Sequence, residues 1–209
     1  FSYDKEGITL NGWDINANPN VDFMVADIAK NKRGNEDNYA YNGVPTLFRH
    51  KLARVSVKAK LDDAYENKTI NLTSVELTNI KTEGNYVNNN WMGQGAPENI
   101  QVYNDASGLL LNKDAAIEIG TQKRIVMPQA LAQDAYFKIK YNLTTTIAGG
   151  GTDTQLIEKD ILIKNVTPAW YTNNDITYTL IISLGTNYIE FDTSVTDWVG
   201  YGNMDLTIE

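Results

Sequence analysis

From Ala53 to Leu61 the chain alternates without a break. Ala53, Val55, Val57, Ala59 and Leu61 are apolar, and Arg54, Ser56, Lys58 and Lys60 between them are polar. Successive side chains of an extended chain point to opposite sides, so a period of two describes a strand with one buried face and one wet, cationic face. Just upstream, Phe48, His50 and Leu52 alternate in the opposite parity. One extra residue near Leu52-Ala53, a β-bulge, would bring both apolar sets to one side and make Thr46–Leu61 a single long strand.

Shorter runs follow. Thr69–Ile80 reads as a second strand, and the change of parity between Ile70/Leu72 and Val75/Leu77 predicts a second bulge. Glu83–Tyr86 reads as a turn into a strand over Tyr86–Met92. Ile100–Tyr103, Leu109–Leu111, Ile117–Ile119 and Arg124–Met127 are short candidate strands, the last ended by Pro128. Tyr136–Ile147 and Thr154–Ile163 form a hairpin around Gly149-Gly150-Gly151, and Ile176–Leu184 and Tyr188–Trp198 form another through Gly185-Thr186-Asn187. No stretch sustains a 3.6-residue period, so helix is limited to a turn at Asp114–Ile119 or Ala130–Ala135. Strand formers punctuated by clusters such as Asn88-Asn89-Asn90 and Asn173-Asn174 describe an all-β protein built as an antiparallel β-sandwich.

A chain of 209 residues buries roughly 70% of its unfolded surface, in one core or two. Residues 1–43 read as a separate piece, with short apolar runs at Ile8/Leu10 and Val21–Ala26. The polar stretch from Asn31 to Asn42 reads as an exposed loop whose Lys32-Arg33-Gly34 is open to a trypsin-like protease. The opening Phe1-Ser2-Tyr3 resembles the inside of a strand, so the expectation is a trimmed or mature form.

The chemistry is sparse. With 26 acidic and 18 basic residues and a net charge of -8, a nucleic-acid partner or an anionic membrane surface is disfavoured. The absence of cysteine excludes disulfides, thiol catalysis and thiolate-bound zinc. The one histidine, His50, sits on an apolar strand face. It cannot form a histidine metal site alone, and it reads as a core histidine with a satisfied ring nitrogen. Glycoside hydrolysis needs only two carboxylates, but no pair stands out, so the expectation is no enzyme and no cofactor. Asn35–Asn38, Asp62-Asp63 and Asn173–Asp175 are the loops closest to a calcium site, and none has ligand spacing, so no metal is expected. Trp91, Trp170, Trp198, Tyr86, Tyr171 and Tyr201 could stack on sugars but read first as core plugs. Sequons at Asn67, Asn71, Asn142 and Asn165 matter only in a host that glycosylates them.

Four ordered segments resemble Bacteroidetes fimbrillin-like proteins, the subunits of type V pili. Leu47–Val55 resembles their Phe-x-His-x-Leu-Ala-Arg/Lys-Val strand, and Met127-Pro128-Gln129 their Pro-Gln strand. Ala169–Leu180 resembles their Trp…Asn…Tyr-Thr hairpin, and Ile189–Trp198 their closing Ile-x-Phe-x-x-x-Val-x-x-Trp strand. The set spans Asp22 to Trp198. The resemblance implies a transthyretin-like sandwich, exported as a lipoprotein precursor to the outer membrane. It also implies cell adhesion and assembly with other pilus subunits by β-strand exchange. Family members usually carry an N-terminal sandwich before the Phe-x-His strand. Residues 1–43 are therefore expected to be a remnant of that domain plus linker, and residues 44–209 the C-terminal sandwich. Met204, Leu206 and Ile208 alternate after Trp198 and are the candidate strand-exchange segment. Host or bacterial surface proteins or glycans are expected as further partners, and the alternative reading is a surface glycan-binding lipoprotein module.

Overall fold

A computed structural model of the protein describes residues 2–4, 7–26, 48–92, 95–184 and 188–198. In chain order the first eight strands are β1 (Ser2–Asp4), β2 (Gly7–Asp14), β3 (Met24–Ala26), β4 (Phe48–His50), β5 (Ala53–Leu61), β6 (Lys68–Lys81), β7 (Glu83–Val87) and β8 (Asn90–Met92). The remainder are β9 (Pro97–Leu110), β10 (Ile117–Val126), β11 (Gln129–Ala130), β12 (Tyr136–Thr146), β13 (Thr152–Leu162), β14 (Ala169–Trp170), β15 (Asn174–Ser183) and β16 (Tyr188–Asp197). Among the described residues the only helical turn is a 3-10 turn at Ile163–Asn165.

Two four-stranded sheets face each other, one in the order β10-β5-β15-β16 and the other β13-β12-β6-β9. Their inner faces supply one core, with Val55, Val57, Ile176, Tyr178 and Leu180 on one side and Ile70, Leu72, Phe137, Ile139 and Tyr141 on the other. The Phe137 ring bridges the layers, 5.0 Å from Tyr178 and 5.3 Å from Phe191. This is the β-sandwich that the alternation implies.

One pair departs from the antiparallel pattern. β5 and β15 run parallel, Arg54 opposite Asp175 and Leu61 opposite Ile182. A parallel pair needs a long crossover, and here the whole opposing sheet lies between the two strands in sequence. This central position also modifies the expected wet face of β5. Flanked by β10 and β15, Ser56 is buried and its Oγ lies 2.9 Å from Thr177 Oγ1.

The bulge expected in β6 is present. Leu72 faces Tyr141 and Ser74 faces Lys140, so Thr73 is the extra residue, and its hydroxyl donates to the Lys140 carbonyl at 3.0 Å. The bulge expected at Leu52-Ala53 is not a bulge: β4 and β5 belong to different sheets, β4 pairing with β3. The chain crosses at Lys51-Leu52, where the Lys51 amide donates to the Phe23 carbonyl and the Leu52 carbonyl accepts from Asn173. Phe48 is consequently 43% exposed instead of joining the core.

Glu83–Tyr86 is strand, not turn. The reversal lies at Asn88-Asn89, whose φ values of 48° and 67° make the left-handed pair that suits a two-residue hairpin. The short candidates Ile100–Tyr103 and Leu109–Leu111 largely merge into β9, and Ile117–Ile119 and Arg124–Met127 into β10. The hairpin of β12 and β13 turns through Gly149, Gly150 and Gly151, all at positive φ. Thr46, Leu47, the polar stretch from Asn31 to Asn42 and the turn Gly185-Thr186-Asn187 lie outside the described residues.

A third sheet, β1-β2-β7-β8, brings the N-terminal strands against the continuation of β6. Ile15 is buried with the main core, and its amide donates to the Thr82 carbonyl at 3.0 Å. Phe23 packs at 5.0 Å on Tyr86 and at 5.8 Å on both Trp13 and Trp91. Burial pushes the Tyr86 hydroxyl up to about 12.

The flank between β9 and β10 is closed. Gly120 of β10, at φ 80°, lies so near β9 that a Cβ there would sit 3.0 Å from the Val102 carbonyl oxygen. Gly120→Ala is expected to cost about 2 kcal/mol, combining left-handed strain with that contact. Urea denaturation measures it, and a loss under about 0.5 kcal/mol would contradict the close approach.

Candidate functional site

Among the described residues the opposite flank is open. β13 and β16 are the outermost strands of their sheets on this side, and a groove of about 590 Å³ runs between them. Ile161, Leu162 and Val166 line one wall, and Glu190, Phe191 and Thr193 the other. The inward alternation of β16 places Ile189 in the core and Phe191 half-buried beside Phe137. One step on, the same parity holds Thr193, whose buried Oγ1 has no hydrogen-bond partner among the described residues. Edge strands offer unpaired backbone groups, and a groove between two such edges presents apolar pockets as well.

A second constellation lies where β4, the end of β16 and the start of β15 meet. The Asp22 carboxylate bonds His50 Nδ1 at 2.5 Å, and the imidazole stacks flat on Trp198 with centroids 4.0 Å apart. The Arg54 guanidinium lies over the same indole, 4.8 Å from its centroid. Arg54 donates to Asp175 at 2.7 Å, and Lys123 Nζ lies 2.9 Å from the same carboxylate oxygen. Six side chains from β5, β10, β15, the end of β16, β4 and the segment before β3 are thus tied in one file. Burial, the largest single influence on Asp175, pushes its carboxyl up; the bonds and charges of Arg54 and Lys123 together outweigh it and hold the group below its usual range.

His50 is 6% exposed, as a core histidine should be, but only one nitrogen is satisfied; Nε2 has no partner among the described residues. Asp22, its partner, carried no signal in the sequence, because nothing local joins residues 28 positions apart. Trp170 and Tyr86 are 1% exposed and Trp198 9%, while Trp91 packs on Tyr86 and Phe23 and donates to the Lys51 carbonyl. These rings are structural plugs; Tyr171, at 65%, is the exposed one. Asp62 accepts from the Tyr65 hydroxyl and Asp175 is held by two cations, so neither loop presents a free set of ligands. Tyr201, Asn35–Asn38 and the strand-exchange candidates Met204, Leu206 and Ile208 lie outside the described residues.

Among solved structures, a fimbrial protein from Bacteroides vulgatus aligns with a TM-score of 0.60 at 17% identity, covering 75% of this chain and 57% of its own. A proposed cell-adhesion protein from Bacteroides uniformis aligns with a TM-score of 0.52 at 20% identity, covering 95% of this chain and 69% of its own. At these identities the likeness is one of fold. The chain spans little more than half the length of the first relative. No curated protein matches it. The sequence profile described as fimbrillin-like matches residues 7–198, from β2 through the Trp198 that stacks on His50. The chain belongs to the fimbrillin-like family.

Proposed function

We propose that the protein is a structural and adhesive subunit of bacterial surface fimbriae and joins its neighbours by exchanging β-strands. The observation that carries this reading is the groove between β13 and β16, lined by Ile161, Leu162, Val166 and Phe191 together with the polar Asn165, Glu190 and Thr193, and bordered by two outermost strands. An extended segment entering it would add main-chain bonds along an edge and place alternate side chains inside. The occupant we assign is the segment carrying Met204, Leu206 and Ile208 from another subunit. At about 3.3 Å per residue, eight residues span roughly 26 Å, comparable to the length of β16.

In this reading the protein acts at the outer cell surface, exported as a lipoprotein precursor, and its partners are other pilus subunits. The role is mechanical, with no catalytic step. In the same reading residues 1–43 derive from a preceding domain and linker, with Ile15 packed into the core of the sandwich. Support comes from family membership and from the fimbrial relative sharing the fold.

Deleting Gly202–Glu209 is expected to abolish polymers seen by electron microscopy and native electrophoresis, leaving the near-UV spectrum and thermal midpoint of the monomer unchanged. Thr193→Arg, which fills the groove, should block acceptance with the tail intact. Unchanged polymerisation of both variants would sink the proposal.

A further inference from the structure

We propose that Lys159 of β13 sets the register of the incoming strand, and that it does so by facing Gly202 of a second copy. The inference rests on the strand-exchange reading above and adds which position of the tail meets which position of the edge.

Ile157, Lys159 and Ile161 are the inward positions of β13. They stand opposite Tyr141, Ile139 and Phe137 of β12, all buried, and side chains directly opposite in an antiparallel pair share a face. Ile157 and Ile161 pack against the core. Lys159, between them, is half-buried, and among the described residues no hydrogen bond or ion pair holds its ammonium. The acids beside it in sequence lie on the other face. Glu158 accepts from Lys140 at 2.7 Å, and Asp160 stands opposite Lys138. The next inward position, Ile161, lines the groove, about 7 Å further along the strand. An inward cation on an outermost strand obstructs any uniformly apolar strand that would pair there.

Alternation alone leaves an added strand free to slide. A slip of one residue turns its apolar side chains outward, but a slip of two preserves the parity. One inward charge removes that degeneracy, as a single polar residue fixes register in the core of a coiled coil. The tail carries a matching gap. At the parity of Met204, Leu206 and Ile208 the preceding positions are Gly202 and Gly200, which have no side chain. With Gly202 against Lys159, the lysine stem has room to lie along the strand and keep its head in water. Sliding one way sets Met204 against Lys159 and presses the ammonium onto apolar surface. Sliding the other way brings Gly202 to a position that Met204 would fill.

The chain has no cysteine, so introduced cysteines report register without background. The whole chain carrying Asn203→Cys is mixed with the chain carrying Leu156→Cys, Glu158→Cys, Asp160→Cys or Leu162→Cys, and then oxidised. Only neighbouring backbones become bonded, since a disulfide needs Cα atoms within about 7 Å. One position should give at least about fivefold more covalent heterodimer than the others. Lys159→Met, which keeps the length and removes the charge, should spread the yield over positions two residues apart. Gly202→Leu should weaken assembly about tenfold, and Lys159→Ala should restore it. One dominant position in both backgrounds, an even spread in the wild type, or a Gly202→Leu defect that Lys159→Ala leaves in place would overturn the assignment and leave strand exchange standing. Heterodimer at no position in either background would overturn the exchange reading and this proposal with it.

Discussion

Trp170→Ala is expected to destabilise the protein by about 4 kcal/mol. The indole is 1% exposed, and its Nε1 donates to the Tyr178 hydroxyl at 2.8 Å. Tyr178 is itself fully buried and meets Phe137 and Phe191 edge-on. Truncation would open a cavity that rigid sheets cannot close, and would strip a partner from a buried hydroxyl. Against a total stability of about 5–15 kcal/mol, this is a large fraction. The urea midpoint, followed by far-UV circular dichroism, should fall by about 2 M for a slope near 2 kcal/mol/M. Trp170→Phe, which keeps most of the volume and loses the hydrogen bond, should cost about half as much. A loss below about 1 kcal/mol for the alanine variant would mean that β14 does not plug the sandwich as described.

The second large effect is at Asp175. Its carboxylate is 11% exposed and binds Arg54 and Lys123, whose side chains are 27% and 37% exposed. Asp175→Asn keeps the shape and leaves two cations facing each other, at a cost of about 2 kcal/mol at pH 7; the partial exposure of the cations holds it below the 3–5 kcal/mol of a fully buried pair. The pH dependence has a definite sign. A carboxyl held below its ordinary 3.8 in the folded state binds fewer protons there than in the unfolded chain. Its contribution is present in full above the unfolded value and is lost as pH falls through the folded one. The gap between wild type and Asp175→Asn should therefore be constant from neutrality to about pH 5 and shrink steadily below pH 4. A gap independent of pH down to about pH 2 would show that packing, not charge, is what Asp175 supplies.

Alternation made the strands of this protein readable wherever one face is buried and the other wet. That covers β5, the bulge in β6 and the hairpin of β12 and β13, because a one-residue slip there would expose every apolar side chain. It failed where burial is not the organiser. The split between β4 and β5 is set by which sheet each joins, and parity alone reads the same for a bulge and for a crossing. The Asn88-Asn89 reversal was misplaced because Glu83-Gly84-Asn85 has turn composition although it pairs as strand with Trp13 and Asp14. The groove left no mark in the sequence, since no local pattern says which flank stays open. The file of residues from Asp22 to Lys123 joins partners far apart in sequence, and no periodicity marks them.

The parallel pairing of β5 with β15 also dictates an order of events. Arg54 and Asp175, opposite each other at the centre of the sheet, are 121 residues apart. Closing so long a loop is entropically costly and comes late, after the local hairpins have formed. While the chain is being made, β5 therefore waits without its central neighbour until β15 has emerged. In that interval its apolar face and bare edges are open to any passing strand. The half-made chain is thus stickier than the finished one, and a chain exported in the way proposed above would need a protected route.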